Sequence, residues 1–132
     1  MGGIMKYDFL IIGSGIIGSL LGRELTRFRC RVLMIEQHAD IGMGTSAANS
    51  AIVHAGYDPK PGTLKARLNL KGNMLWDHLA AELFIPFRRT GSYVVAVEED
   101  ELKTLEKLRE QGERNGVPGL RLLSADETRE RI

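Results

Sequence analysis

Residues 7–18 read Tyr7-Asp8-Phe9-Leu10-Ile11-Ile12-Gly13-Ser14-Gly15-Ile16-Ile17-Gly18, an apolar run that leads directly into three spaced glycines. A short and nearly continuous apolar run is typical of a strand that is covered on both faces of a parallel sheet. After the glycines, residues 19–28 carry apolar side chains at helical spacing, and residues 31–36 form a second short apolar run. A strand, a glycine turn, a helix and a strand within about 30 residues predict a right-handed βαβ unit.

Each glycine of the turn has its own physical task. Gly13 permits the tight turn, and Gly15 leaves the backbone N–H groups at the helix N-terminus open to a pyrophosphate, where the helix dipole favours negative charge. Gly18 lets the helix pack close against the strands. Glu36 ends the second strand, and a carboxylate there accepts hydrogen bonds from ribose hydroxyls. This context favours a dinucleotide site; the alternative is a structural turn followed by a solvated charge.

The segment after Glu36 distinguishes FAD from NAD. A nicotinamide-binding domain normally returns at once to another helix and strand, whereas residues 42–50 are small and capable of hydrogen bonding. Such a segment can lie along an extended cofactor and offer N–H groups and hydroxyls to its phosphate and ribityl oxygens. It therefore favours FAD, with a flexible loop as the alternative.

The rest of the chain alternates helical and extended patterns. We predict, in order, a helix over residues 63–84, a strand or hairpin arm over 87–97, a charged helix over 98–115, a short strand over 120–123 and a helix opened by a capping box at Ser124 and Glu127. The predicted fold class is α/β, with a Rossmann-type FAD-binding βαβ unit and the start of an α+β substrate domain. We assign residues 1–85 to the FAD-binding domain and residues 86–132 to the beginning of the substrate domain.

Composition excludes several classes of function. The 132 residues carry a net charge of +1, which gives no long-range field for nucleic acid. Cys30 is the single cysteine, so an internal disulfide and a cysteine-built metal site are excluded, and no other residues have metal-ligand spacing. We expect a reducing, cytoplasmic location, with peripheral attachment to the inner face of a membrane as an alternative.

Three stretches carry a family resemblance. They are residues 7–18, the run Gly44-Thr45-Ser46 with Asn49-Ser50-Ala51-Ile52-Val53-His54-Ala55-Gly56-Tyr57, and the segment Pro86-Phe87-Arg88-Arg89-Thr90-Gly91-Ser92. Together they resemble the FAD-dependent oxidoreductases of the D-amino-acid oxidase-like superfamily, in the branch of glycerol-3-phosphate dehydrogenase and L-2-hydroxyglutarate dehydrogenase. The resemblance covers essentially the whole chain, and its most specific part is the stretch over residues 50–56.

The resemblance implies a non-covalently held FAD, hydride transfer to the flavin from a carbon that bears a hydroxyl or amine, and reoxidation by a quinone, another carrier or oxygen. The cofactor-binding residues that it implies are Gly13, Gly15, Ile17, Gly18, Glu36, Gln37, Thr45, Ser46, Asn49 and Ser50. His54 would lie near the flavin ring as the candidate catalytic base, because histidine changes charge near neutral pH. The alternative is that His54 only positions the flavin or its loop.

We therefore expect an FAD-dependent dehydrogenase that oxidises a small hydroxy acid or polyol phosphate such as glycerol 3-phosphate. An FAD-dependent amine or amino-acid oxidase, or a dinucleotide-binding module without activity, is the alternative. Arg88 and Arg89 either favour an anionic substrate or are exposed strand-end charges. Since only two confident parallel strands are present, we expect the chain to be inactive alone, as a fragment or as a split subunit completed by a second chain. The expected partners are a small-molecule substrate and an electron acceptor, with no nucleic acid.

Overall fold

The computed structural model describes residues 5–131, in which residues 5–52 and 53–131 form two compact units. The first unit is the predicted βαβ unit: strand β1 (Phe9–Ile12), helix α1 (Ile16–Leu25) and strand β2 (Val32–Ile35). The strands pair in parallel, with Phe9 opposite Val32 and Ile12 opposite Ile35. The predicted α/β class is confirmed, and α1 begins earlier than predicted, directly after Gly15.

Helix α1 packs close to the strands at a glycine. Gly22 is buried, and a Cβ added to it would lie 2.9 Å from the terminal methyl of Met34 and 3.5 Å from Ile11. Ile11 is 6% exposed, whereas its neighbours Leu10 and Ile12 are 56% and 79% exposed. Within residues 5–52, therefore, α1 covers β1 at Ile11, whereas Leu10 and Ile12 on the opposite face stay exposed, because a single βαβ unit supplies one helix.

The second unit contains the helices α2 (Leu64–Glu82), α3 (Leu102–Asn115) and α4 (Ala125–Arg129), and a single 3₁₀ turn (Glu99–Glu101) precedes α3. The predicted capping box opens α4: Glu127 N–H donates to the Ser124 hydroxyl, and Ser124 N–H donates to the Glu127 carboxylate. None of the helices in the described part of the chain is long and apolar enough to cross a membrane.

The two strands predicted over residues 87–97 and 120–123 are wrong, since both segments are extended or irregular without being strands. A strand requires a neighbour that satisfies its N–H and C=O groups. Within residues 5–131, β1 and β2 form the one sheet, and neither segment pairs with it. The β-branched and aromatic residues of the segment 87–97 indicate an extended backbone, but they do not show whether a neighbouring strand is present to pair with it.

Helices α2 and α3 end in the same hydrogen-bonded motif with different residues. After α3, Val117 N–H donates to Gly112 O at 2.9 Å, and Gly116 adopts the left-handed conformation with φ 81°. After α2, Ile85 N–H donates to Ala80 O at 2.9 Å, and Phe84 has φ 54°. Glycine is the usual residue at this left-handed position, so α2 holds a strained phenylalanine there.

We expect Phe84→Gly to raise the free energy of unfolding by roughly 0.5–1 kcal/mol, because relief of left-handed strain exceeds the entropic cost of glycine. The Phe84 ring is 93% exposed, so its removal loses little packing. As a control, Lys71→Gly within α2 should lower stability by about 1 kcal/mol. Urea denaturation measures both, and a loss of stability in Phe84→Gly equal to that of the control would contradict the strain argument.

Candidate dinucleotide site

The glycines at the turn from β1 into α1 are required for different reasons, backbone conformation at Gly13 and close contact at Gly18. Gly13 has φ 97°, and its N–H donates to Ile35 O at 2.8 Å, which ties the turn to the end of β2. A Cβ added to Gly18 would lie 2.0 Å from Gly13 O and 3.3 Å from Ile11. Separations this short exclude any side chain at residue 18. The predicted role of Gly18 in close helix-to-strand packing therefore agrees with the geometry.

The N-terminus of α1 meets one acceptor, a serine hydroxyl from outside the helix. Its N-cap residue is Gly15, no N-cap side chain bonds to the helix, and its first turn has no acidic residue. The Ser46 hydroxyl accepts a hydrogen bond from Ile16 N–H at 2.9 Å, and Ser46 Oγ lies 3.0 Å from the position of a Cβ at Gly15. The Ser46 hydroxyl oxygen thus lies at the positive end of the helix dipole. The same end of a helix favours the negative charge of a pyrophosphate. Ile17, in the same turn, is 81% exposed.

Glu36 is held by four hydrogen bonds at the end of β2. One carboxylate oxygen accepts from Ser14 N–H at 2.7 Å and from the Ser14 hydroxyl at 2.9 Å. The other accepts from Gln37 N–H at 2.8 Å and from His38 N–H at 3.0 Å. These bonds, first of all that from Ser14 N–H, lower the pKa of Glu36 to about 2. Glu36 is therefore ionised at neutral pH and connects the glycine turn to β2.

The pKa of Glu36 predicts a contribution to acid stability. Because the folded-state pKa of about 2 lies below the ordinary value of 4.5, the stabilisation is present above pH 4.5 and is lost as the pH falls from 4.5 to 2. We expect Glu36→Gln to have a lower melting temperature than the parent at pH 6. The difference should shrink progressively between pH 4.5 and pH 2. Thermal denaturation of both proteins across this range measures it, and a difference independent of pH would show that ionisation of Glu36 plays no part.

The small-residue segment over residues 42–50 folds into consecutive turns. Ala47 N–H donates to Gly44 O at 3.0 Å, and Ala48 N–H donates to Thr45 O at 3.2 Å. The Asn49 side chain donates to Ser46 O at 2.5 Å and accepts from Ala51 N–H at 2.7 Å. The segment is thus organised by its own hydrogen bonds and brings the Ser46 hydroxyl to α1. Thr45 and Ser50 are exposed along it.

Of the predicted site residues in the first unit, the glycines, Ile17, Glu36, Gln37 and Ser46 surround the turn between β1 and α1. Sequence reasoning missed Ser14, which is 3% exposed and donates twice to Glu36. A serine inside a glycine turn gives no signal of its own, because its partner is 22 residues away. Within residues 5–131, no group of three or more His, Cys, Asp or Glu side chains could hold a metal ion.

His54 belongs to the second unit, where its side chain is exposed. Its carbonyl accepts a hydrogen bond from the Asn73 side chain of α2 at 3.0 Å. The next residues are held by amides of α3: Asn115 donates to Gly56 O at 3.0 Å and to Pro59 O at 2.7 Å, and Gln111 donates to Tyr57 O and Asp58 O. Residues 54–59 are therefore fixed at their backbone by α2 and α3, through amide side chains that sequence reasoning did not identify.

Comparison with known proteins identifies the family. The model of a family described as FAD dependent oxidoreductase (DAO) matches residues 8–132. The chain belongs to this FAD-dependent oxidoreductase family. The match confirms the predicted superfamily and the prediction of FAD as the cofactor.

The relatives that the chain matches include both kinds of enzyme in the predicted branch. The chain is 53% identical over 124 residues to a glycerol 3-phosphate dehydrogenase of Caloramator mitchellensis, covering 94% of this chain and 26% of the relative. It is 36% identical to the mitochondrial L-2-hydroxyglutarate dehydrogenase of Dictyostelium discoideum, covering 92% of this chain and 28% of that protein.

A solved structure of an L-alpha-glycerophosphate oxidase from Mycoplasma pneumoniae, dithionite-reduced and with FAD bound, matches the fold. Its TM-score is 0.80 at 32% identity, over 96% of this chain and 34% of that one. The chain thus spans 26–34% of the length of these three relatives.

Proposed function

We propose that this chain supplies the dinucleotide-binding part of an FAD-dependent dehydrogenase that oxidises a small hydroxy acid or polyol phosphate, with glycerol 3-phosphate as the first candidate. The observation that supports the FAD site is the N-terminus of α1 beside Gly15, which has no side chain of its own to cap the helix and where the Ser46 hydroxyl accepts from Ile16 N–H. The choice of substrate is supported by the 53% identity to a protein named glycerol 3-phosphate dehydrogenase.

The residues of the first unit fit the parts of FAD. Gly13, Gly15 and Gly18, with Ile17 N–H in the first turn of α1, would hold the pyrophosphate. Thr45, Ser46, Asn49 and Ser50 would lie along the path from the pyrophosphate to the ribityl chain. When bound, FAD supplies a two-electron acceptor that no amino-acid side chain can provide.

Glu36 and Gln37 would bind the adenosine ribose. A carboxylate has about four lone-pair sites, and the four hydrogen bonds to Glu36 use them all. A ribose hydroxyl must therefore replace one donor, and the Ser14 hydroxyl is the one that can rotate away while Ser14 N–H stays bound. Its ionisation at neutral pH suits Glu36 to accept from ribose and to repel a 2′-phosphate.

His54 would act as the base. In the proposed oxidation, bound FAD would supply the acceptor for the hydride that is released, with both bonding electrons, when the C–H bond of the hydroxyl-bearing carbon breaks. The hydroxyl proton passes to the His54 imidazole, and the C–O bond becomes a carbonyl. A quinone, another carrier or oxygen would be the final acceptor of the two electrons. A reducing, cytoplasmic location is part of the proposal and is supported by the single cysteine.

Anaerobic mixing with substrate tests the proposal. We expect glycerol 3-phosphate to bleach the flavin absorbance at about 450 nm in the FAD-loaded full-length gene product. L-2-Hydroxyglutarate and amino acids serve as comparisons: selective bleaching by an amino acid would favour an oxidase of amines, and no bleaching by any of them would contradict the proposed reaction.

The same assay on residues 1–132 alone should show FAD binding without bleaching. Large apolar side chains of the described chain remain exposed, including Ile12, Leu68 and Leu75 at 79%, 54% and 54%. Apolar surface of this extent normally packs against further structure. Bleaching of residues 1–132 alone at the rate of the full-length gene product would show that the chain is sufficient.

A further inference from the structure

Arg89 directs its whole guanidinium group at helix α2. Its Nε lies 3.0 and 2.9 Å from the two carboxylate oxygens of Asp77, and Nη2 lies 2.5 Å from Asp77 Oδ2. Nη1 donates to Asn73 Oδ1 at 3.0 Å, and Nη2 also donates to Asn73 O at 2.9 Å. The guanidinium carbon lies 5.4 Å from the centre of the Phe87 ring, which stacks on Trp76 at 6.0 Å. Arg89 is therefore engaged and is not a free strand-end charge.

These contacts fix which way the Asn73 amide faces. Arginine has donors only, so the Asn73 atom that meets Arg89 must be the carbonyl oxygen. The amide NH₂ then faces the opposite way, and it donates to the backbone carbonyl of His54 at 3.0 Å. A backbone carbonyl only accepts, so the same orientation satisfies both neighbours. Arg89, Asn73 and His54 thus form one connected series of hydrogen bonds.

The series contributes orientation more than stability. The side chains of Arg89 and Asp77 are 46% and 60% exposed, and ion pairs in such positions add little to the free energy of unfolding. Arginine nevertheless holds its partners in a planar, forked geometry that lysine cannot reproduce. The Arg89 guanidinium bonds to Asn73 and Asp77, which lie one helical turn apart on α2, and this leaves the Asn73 amide a single orientation.

We propose that Arg89 is a positioning residue that, through Asn73, holds the backbone of His54 in place. The consequence for catalysis rests on the proposed function of His54 as the base. Asp77 anchors Arg89 in this arrangement, so the sequence-based alternative in which Arg89 binds an anionic substrate would require it to leave Asp77. A misplaced base lowers the rate of the chemical step without changing the affinity for substrate or FAD.

The first test observes the His54 carbonyl by NMR spectroscopy and does not depend on enzymatic activity. In the full-length gene product labelled with ¹³C at histidine carbonyls and ¹⁵N at alanine, the peptide His54–Ala55 gives a cross-peak that responds to the hydrogen bond from Asn73. His38–Ala39 is an identical dipeptide in the first unit and serves as an internal reference. The peak that disappears in His54→Asn is that of His54–Ala55, which distinguishes it from the His38–Ala39 peak.

Two variants break the series at different points. Asn73→Asp keeps an acceptor for Arg89 but cannot donate to His54, and Arg89→Lys removes the fork. We expect both to shift or broaden the His54–Ala55 peak and to leave the His38–Ala39 peak unchanged. Lys71→Gln lowers the net charge of α2 by one unit, as Asn73→Asp does, and should move neither peak. A His54–Ala55 peak that stays in place in either Asn73→Asp or Arg89→Lys would overturn the proposal.

The second test measures catalysis in the same variants. We expect the rate of flavin reduction to fall roughly ten-fold in Asn73→Asp and Arg89→Lys, with KM and the Kd for FAD unchanged. A shifted peak with an unchanged rate would overturn the catalytic part of the proposal. If neither glycerol 3-phosphate nor L-2-hydroxyglutarate reduces the flavin of the parent protein, the proposed function fails, and the carbonyl cross-peak still decides the positioning role.

Discussion

We expect Gly15→Val to abolish FAD binding while the helical content of the protein is retained. A Cβ at residue 15 would lie 3.0 Å from Ser46 Oγ, and the two γ-carbons of valine would extend farther into the space beside the first turn of α1. This is the space through which a pyrophosphate must approach the N–H groups. FAD titration by flavin fluorescence measures the affinity, and far-ultraviolet circular dichroism measures the helical content.

A matched control separates this effect from a general cost of valine. Gly72 lies within α2, where a Cβ would meet nothing within 4 Å, so Gly72→Val should bind FAD as the parent does. Gly18 is unsuitable for the test, because its clash with Gly13 O at 2.0 Å would disturb the fold itself. Near-native FAD affinity in Gly15→Val would mean that the glycine turn does not hold the pyrophosphate.

We expect His54→Asn to lower the rate of flavin reduction by glycerol 3-phosphate by roughly 10²–10⁴-fold, the usual contribution of general base catalysis. Asparagine keeps a polar side chain of similar reach but cannot accept the hydroxyl proton and carry it. FAD affinity and KM should change little, since the backbone contact between His54 O and Asn73 is retained. Anaerobic stopped-flow spectroscopy measures the rate.

The alternative role for His54 gives a different result. If His54 only positions the flavin, His54→Asn should weaken FAD binding and leave the reduction rate of the loaded protein within a few-fold of the parent. His78→Asn is the control: His78 is an exposed histidine of α2 whose ring lies 3.6 Å from Glu82. The rate and the FAD affinity should both be unchanged in that variant.

The sequence was most informative where structure depends on near neighbours. The βαβ unit follows from two apolar runs and a glycine turn, and the capping box at Ser124 and Glu127 needs only four consecutive residues. The strand predicted over residues 87–97 failed for the opposite reason. Its pairing depends on a partner elsewhere, and no periodicity within the segment can show whether that partner is present.

The candidate site divides in the same way. The positions of the glycines and Glu36 around one turn could be predicted because their spacing along the chain reflects their place in the βαβ unit. The contacts of Arg89 could not, because its partners Asn73 and Asp77 are 16 and 12 residues away and meet it through the folding of α2 against an irregular segment. Asn73 likewise reaches His54 across 19 residues. An isolated asparagine on a helix gives no sign of such a partner.

Identification of the bound cofactor tests the central claim most directly. The purified full-length gene product is denatured as isolated, and the released small molecule is identified by chromatography and mass spectrometry. The account predicts release of intact FAD by denaturation alone, with no flavin left on the polypeptide. Release of NAD, or tight NAD binding without affinity for FAD, would contradict it.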